Sequence, residues 1–155
     1  MTDLAAWVER ISTRDVPATV AADVSAAQQA RHLPSLIVVP GRETVQTTPM
    51  TASARHKVIV EVLVVTGIQR GNQALGGRMA NELDWLRLPM LRQLIGWTPP
   101  PFGTATPSRT WYEYFTTPVL VHDTEVTWHG GQLLTMSKNA LFWVDAFRTE
   151  YWWKP

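Results

Sequence analysis

The chain has 155 residues, 45% hydrophobic and 17% charged, with 14 Lys and Arg against 13 Asp and Glu for a formal net charge of +1. That length is about one domain at roughly 100 to 200 residues per domain, and the balanced charge excludes both intrinsic disorder and a strong electrostatic footprint for nucleic acid or acidic lipid. The absence of cysteine excludes disulfides, thiolate metal sites and a cysteine nucleophile.

The N-terminus, Met1-Thr2-Asp3-Leu4, has no basic segment leading into an apolar run, and no stretch approaches the roughly 20 apolar residues that span a bilayer, so neither a secretion signal nor a membrane span is expected. From Asp3 to about Thr13, Leu4, Trp7, Val8 and Ile11 recur at helical spacing and predict a short amphipathic helix. The Ala- and Gln-rich stretch from Val20 to Arg31 reads as a second helix ending before Pro34. Leu36-Ile37-Val38-Val39, bounded by Pro34 and Pro40-Gly41, is a buried strand, and the polar residues from Gly41 to Ser53 read as a loop or the tip of a long hairpin.

Arg55 to Thr66 has the clearest strand pattern. Val58, Val60, Val62 and Val64 fall on one face, Ile59, Leu63 and Val65 on the other, with Glu61 as the exception. Such a strand would extend about 40 Å, so part of the hairpin is expected to project beyond its own domain. After a glycine-rich turn, apolar residues at 79, 83, 86, 90 and 94 predict a helix from Arg78 to about Ile95, kinked or split by Pro89. Thr98 to Gly103 is a proline-rich connector, and the aromatic patch from Trp111 to Phe115 is a strand or an excursion. Short strands follow at Val119–Val121 and Glu125–Trp128, with a tight turn at Gly130-Gly131 into Gln132–Met136. A second turn at Ser137-Lys138-Asn139 leads to a last strand from Ala140 to about Trp153.

This order predicts one α+β domain over 1–155, an antiparallel sheet with a long β-hairpin and helices packed on one face. The last strand is apolar on both sides, with Leu141, Trp143 and Phe147 opposed to Phe142, Val144 and Ala146. An open second sheet face would need a cover, and a neighbouring subunit is the simplest one. Eight tryptophans, at 7, 85, 97, 111, 128, 143, 152 and 153, point the same way, since Trp is enriched at interfaces.

Catalytic chemistry finds little support. Gly71 to Arg78 has the glycine spacing of a phosphate loop, but Gly77 stands where the motif needs Lys and Arg78 where it needs Ser or Thr. His122, Asp123, Glu125 and His129 are the one local group of metal-ligand types, at a spacing unlike compact ligand motifs. There is no Gly-x-Ser-x-Gly elbow, and the pair Asp145 and Glu150 is of a kind any domain with 13 acids offers. Arg55, His56 and Lys57, with Arg87 and Arg92, could line a single-stranded nucleic acid, but a net charge of +1 gives little counterion release. No catalytic residue, cofactor or metal is expected.

Three stretches in order carry a resemblance: Pro34-Ser35-Leu36-Ile37-Val38-Val39-Pro40 with the valine-rich strand, the helix end Leu94-Ile95-Gly96-Trp97-Thr98-Pro99, and Gly131-Gln132-Leu133-Leu134 leading to Leu141 through Tyr151. Together they resemble the tail terminator proteins of tailed bacteriophages and prophages, with Gly103 to Trp128 longer than the link expected in that family. The resemblance implies a small α+β subunit of a hexameric ring at the head-proximal, neck end of the virion tail, assembled in the host cytoplasm. Its implied partners are further copies of itself, the tail tube protein and a head-completion or connector protein, with DNA passing through the lumen without specific binding and no membrane involved. On this reading the expected oligomer interface is Val58, Val60, Val62, Trp143, Trp152 and Trp153. The loop with Arg42, Glu43, Gln46, Met50 and Arg55 is expected to dock on the tube or a neighbour, mobile in the free subunit and ordered on docking. The alternatives are another neck or minor tail ring, such as a head-tail stopper, and a small metal-dependent enzyme built on His122, Asp123 and His129.

Overall fold

The structure, a computed structural model, describes residues 4–30, 32–47, 56–69, 76–100, 120–122, 124–137 and 139–153. In chain order the elements are α1 (Leu4–Ile11), β1 (Ala18–Val20), α2 (Val24–Ala27), β2 (Ser35–Thr47), β3 (His56–Gln69), α3 (Gly76–Leu94), β4 (Leu120–His122), β5 (Thr127–Met136) and β6 (Ala140–Trp153). One sheet runs β1-β2-β3-β6-β4, and β5 also pairs with β6. β5 takes the part of that outer edge from Leu141 to Arg148, and β4 takes Tyr151 to Trp153. Every pairing is antiparallel except β1 with β2, which makes the sheet mixed.

The alternation of β3 works as its sequence predicts. Val58, Val60, Val62 and Val64 turn to one face, where they join Leu36 and Val38 of β2, Phe147 and Tyr151 of β6, Trp7 and Ile11 of α1, and Met90, Leu91 and Leu94 of α3. Ile37, Val39, Val65, Phe142 and Val144 turn to the second face and pack with Ala27 of α2. The helices therefore lie on both faces: α1 and α3 cover the first, and the short α2 covers part of the second. On the second side of β6, Phe142 and Val144 are buried within the chain and Ala146 is half-buried.

Further expectations are corrected. The second helix shrinks to Val24–Ala27, because Ala18–Val20 pairs with β2 and Ala21 N–H continues that ladder to Val38 C=O. Asp23 caps α2 through Ala26 N–H at 2.7 Å, and Gln29 and Ala30 close it with tight three-residue bonds. Residues 41–47 belong to β2, which bulges between Pro40 and Glu43. Gly41 is needed at that bulge, since a side chain there would meet the Glu61 carbonyl oxygen at 2.5 Å. Residues 48–53 of the expected loop lie outside the described residues.

No arm projects among the described residues, because β6 flanks β3 from Gln69 to His56 and buries Val58, Ile59 and Val60. Gly130-Gly131 is not a hairpin turn: β5 runs through it with a register shift, and Gly130 takes the φ of +95° that a bulge demands. Pro89 does not split α3, which continues to Leu94. A proline at 89 cannot bond to the carbonyl of Trp85, but both residues are exposed, and a helix tolerates such a break best on its solvent side. The aromatic patch at 111–115 and the glycine-rich turn at 71–75 lie outside the described residues.

Candidate functional site

The alternation of β6 places Trp143, Asp145, Phe147, Thr149 and Tyr151 on the first face, so the Trp-x-Asp-x-Phe-x-Thr-x-Tyr pattern is one inward-facing row. Phe147 is fully buried, with its ring 6.2 Å from that of Trp7. The Thr149 hydroxyl donates to Thr124 C=O at 3.2 Å, and the Thr124 hydroxyl accepts from Glu150 N–H at 3.0 Å. Tyr151 is buried, and burial, with the Glu43 charge as second cause, pushes its phenol up to about 12.

Asp145 is the charged member of this row and is fully enclosed. Arg87 of α3 donates to it through two nitrogens, Nε to Oδ2 at 2.8 Å and Nη2 to Oδ1 at 2.7 Å. Trp128 of β5 donates its indole N–H to Oδ1 at 3.1 Å. The Arg87 guanidinium also stacks 4.7 Å from the centre of the Trp143 ring. The hydrogen bond to Asp145, outweighing the opposing effect of burial, raises the Arg87 pKa above its usual value. Gly131 completes the enclosure, because a side chain there would collide with Asp145 Oδ1 and Trp143 Nε1. The cluster thus pins α3, β5 and β6 together, and its carboxylate oxygens are occupied, which suits a structural clamp rather than proton transfer.

The Gly96-Trp97 motif ends α3 in the same structural manner. Gly96 has φ +80°, the left-handed cap that releases the chain from a helix. Its N–H donates to Val126 C=O at 3.0 Å, and Val126 N–H donates back to Trp97 C=O at 2.7 Å. The Trp97 ring meets Trp7 edge-on at 5.5 Å and lies under Arg10, whose Nε caps Gln93 C=O at 2.9 Å.

The residues expected at an oligomer interface divide. Val58, Val60 and Val62 are inside the subunit's own core, at most 4% exposed, because α1 and α3 cover them; their side chains offer no surface to a neighbour. Trp143 is half-buried against Arg87 and packs on Ile68, Leu83 and Leu141. Trp152 is half-buried, with Lys57 Nζ 6.0 Å from its ring centre. Trp153 is opposite His56 and Leu120 in register, and its side chain lies outside the described residues. Of the docking residues, Arg42, Glu43 and Gln46 are exposed on β2, while Met50 and Arg55 lie outside the described residues.

The chemical alternatives are placed as follows. Asp145 and Glu150 sit on opposite sides of β6, and Glu150 pairs with Lys57 at 2.7 Å, so they form no carboxylate pair. Lys57 and Arg87 are both engaged within the chain. His129 Nε2 shares a hydrogen bond of 2.9 Å with the Thr127 hydroxyl, and Asp123 lies outside the described residues. Among the described residues no three His, Asp or Glu side chains converge on one point, and no helix is long and apolar enough to cross a membrane. A groove of about 420 Å³ on the second face is lined by Val24, Leu63, Val144 and Leu134, with Glu61 and His129 among its polar lining.

Sequence reasoning passed over two features. The Arg87–Asp145 pair joins positions 58 apart, a distance no local pattern reports. The exposed side of α3 carries Trp85, Leu88 and Ile95, and their spacing of 3 and 7 was available as a second apolar stripe beside the core one.

No curated protein matches this chain significantly. The family described as phage tail terminator protein matches residues 1–154, essentially the whole chain. The chain therefore belongs to the phage tail terminator family, structural proteins of the phage tail.

Proposed function

We propose that this chain is the subunit of a ring that caps the head-proximal end of the tail tube, ends tube polymerisation and offers the surface on which head-completion proteins join the tail. The observation that carries this reading is the family match over residues 1–154. In this reading the ring has six copies, sits at the neck of the virion after assembly in the host cytoplasm, and carries no catalytic group or cofactor. The net charge of +1 supports a lumen through which DNA slides without sticking, because few phosphate contacts can form.

The test is polymerisation of the matching tail tube subunit with and without this protein, with tube lengths read by electron microscopy and mass by light scattering. Added protein is expected to stop growth and to appear as a ring at one tube end. Tubes that grow to the same length distribution at saturating protein would overturn the reading. Binding to the connector without any effect on tubes would identify a head-tail stopper instead.

A further inference from the structure

The large apolar side chains left in solvent among the described residues are not scattered. Three of these eight lie on α3 or the residue after it, Trp85 at 80% exposure, Leu88 at 54% and Ile95 at 48%. Three more lie on β5: Trp128, Leu133 and Met136. The remaining two, Val20 and Val45, lie on β1 and β2 at the opposite edge of the sheet.

The two elements of the first group adjoin. Arg87 and Trp128 bind the same oxygen of Asp145, and Gly96 at the end of α3 bonds to Val126 just before β5. The other flank of α3 faces α1, where Arg10 reaches Gln93. At 3.6 residues per turn, Leu88 and Ile95 are rotated from Gln93 by about 150°, towards β5, while Trp85 is about 80° from it, on the outer side of the helix beside Leu88. Trp128, Leu133 and Met136 stand opposite Phe147, Trp143 and Leu141 in register, so they share the sheet face that α3 covers. Val20 and Val45 stand opposite Val38 and Val58, on that same face.

We propose that the α3–β5 surface is the seat of a second copy of this chain, which presents its β1–β2 edge with Val20 and Val45. This deepens the ring reading above and rests on it. Two different apolar surfaces at opposite edges of one sheet are what a head-to-tail interface requires, since a closed ring joins unlike patches. The size also fits. Taking their exposed fractions, the six side chains on α3 and β5 offer on the order of 600 Å², most of the roughly 800 Å² each partner contributes to a stable interface. That matches the top of the roughly 300–600 Å² range of the largest apolar patch on a typical monomer, a patch that is often functional. The Arg87–Asp145 clamp holds the two elements in register and so presets the surface.

The test uses the full chain with Trp85→Glu and Leu88→Glu in one variant, and Val20→Glu and Val45→Glu in another. All four side chains are exposed, so folding is checked by circular dichroism and thermal melting. Wild type is expected to assemble, alone or on tube ends, while each variant keeps its fold and falls to the mass of one chain, 17.5 kDa. Each variant retains one intact surface, so an equimolar mixture is expected to form a heterodimer of twice that mass and nothing larger.

Rings formed as readily by the Trp85 and Leu88 variant as by wild type would overturn this surface while leaving the ring standing. Loss of assembly in that variant alone, with the β1–β2 variant normal, would overturn the pairing. Loss of folding in either variant is countered by Trp85→Ser with Leu88→Ser and by Val20→Thr with Val45→Thr, read the same way. A wild type that stays single even on tube ends would remove the ring reading and this proposal together.

Discussion

Replacing Asp145 with alanine tests the clamp most sharply. The carboxylate is fully enclosed and accepts three hydrogen bonds, two from Arg87 and one from Trp128. Its loss strands a guanidinium whose side chain is only 12% exposed, with Asp84 at 3.5 Å as the nearest remaining acid. Removing one partner of a buried ion pair costs about 3–5 kcal/mol, because the other charge stays desolvated. For a domain of this size, at about 2–4 °C per kcal/mol, the melting temperature should fall by roughly 6–20 °C. Trp128 adds little to that loss, since at 43% exposure its indole can turn to water.

The double variant Arg87→Met with Asp145→Val removes both charges and should recover most of the stability, within about 1–2 kcal/mol of wild type. Urea unfolding followed by circular dichroism on wild type, Arg87→Met, Asp145→Val and the pair closes a double-mutant cycle. A coupling energy of about 3 kcal/mol, little changed by added salt, is expected for an enclosed pair. A coupling below about 0.5 kcal/mol, or an Asp145→Ala cost below about 1 kcal/mol, would refute the reasoning.

Three further outcomes follow from other parts of the fold. Gly41→Ala should cost about 1–3 kcal/mol in urea unfolding, because its Cβ meets the Glu61 backbone; an unchanged midpoint would mean the bulge relaxes freely. Tyr151 holds its proton up to about 12 in the folded chain against 10.0 ordinarily. Its contribution to stability is therefore complete below about pH 10 and declines as pH rises through 12. Ultraviolet titration should show a tyrosine ionising near pH 12, Tyr151→Phe should delete that step, and Glu43→Gln should move it down. Trp7→Ala should cost about 3–5 kcal/mol at this fully buried position. Trp7→Phe should stay within about 1.5 kcal/mol, since it removes an indole N–H that has no partner among the described residues, and a thermal melt separates the two.

Where one side of an element meets the core and the rule is local, sequence and structure agree. The alternating valines of β3 and the stripe of Leu83, Leu86, Met90 and Leu94 needed only a period to be read. Residues 42–46 are exposed on a sheet edge and, Val45 apart, polar, so β2 beyond its bulge lacks the apolar signature of a strand. Ala18–Val20 is held by pairing with β2 rather than by its own propensity, and an alanine-rich neighbourhood reads as helix. Gly130-Gly131 suits a turn or a bulge equally in sequence, and the register with β6 decides. Val58, Val60 and Val62, expected at an interface, turn into the core for a related reason. A valine row signals burial without saying whether the cover is the same chain or another, and here α1 and α3 supply it.

The reciprocal bonds between Gly96-Trp97 and Val126 set the two ends of the intervening stretch side by side. Thr124, bonded in turn to Thr149 and Glu150, ties the returning end to β6. Whatever link joins Trp97 to Thr124, its two ends are held side by side, and β4 is paired to β6 within it. Doubling the length of a link between ends so held costs only about 0.6 kcal/mol in closure entropy. The helix end and the last strand therefore keep their mutual placement through bonds of their own, independent of how long that link is.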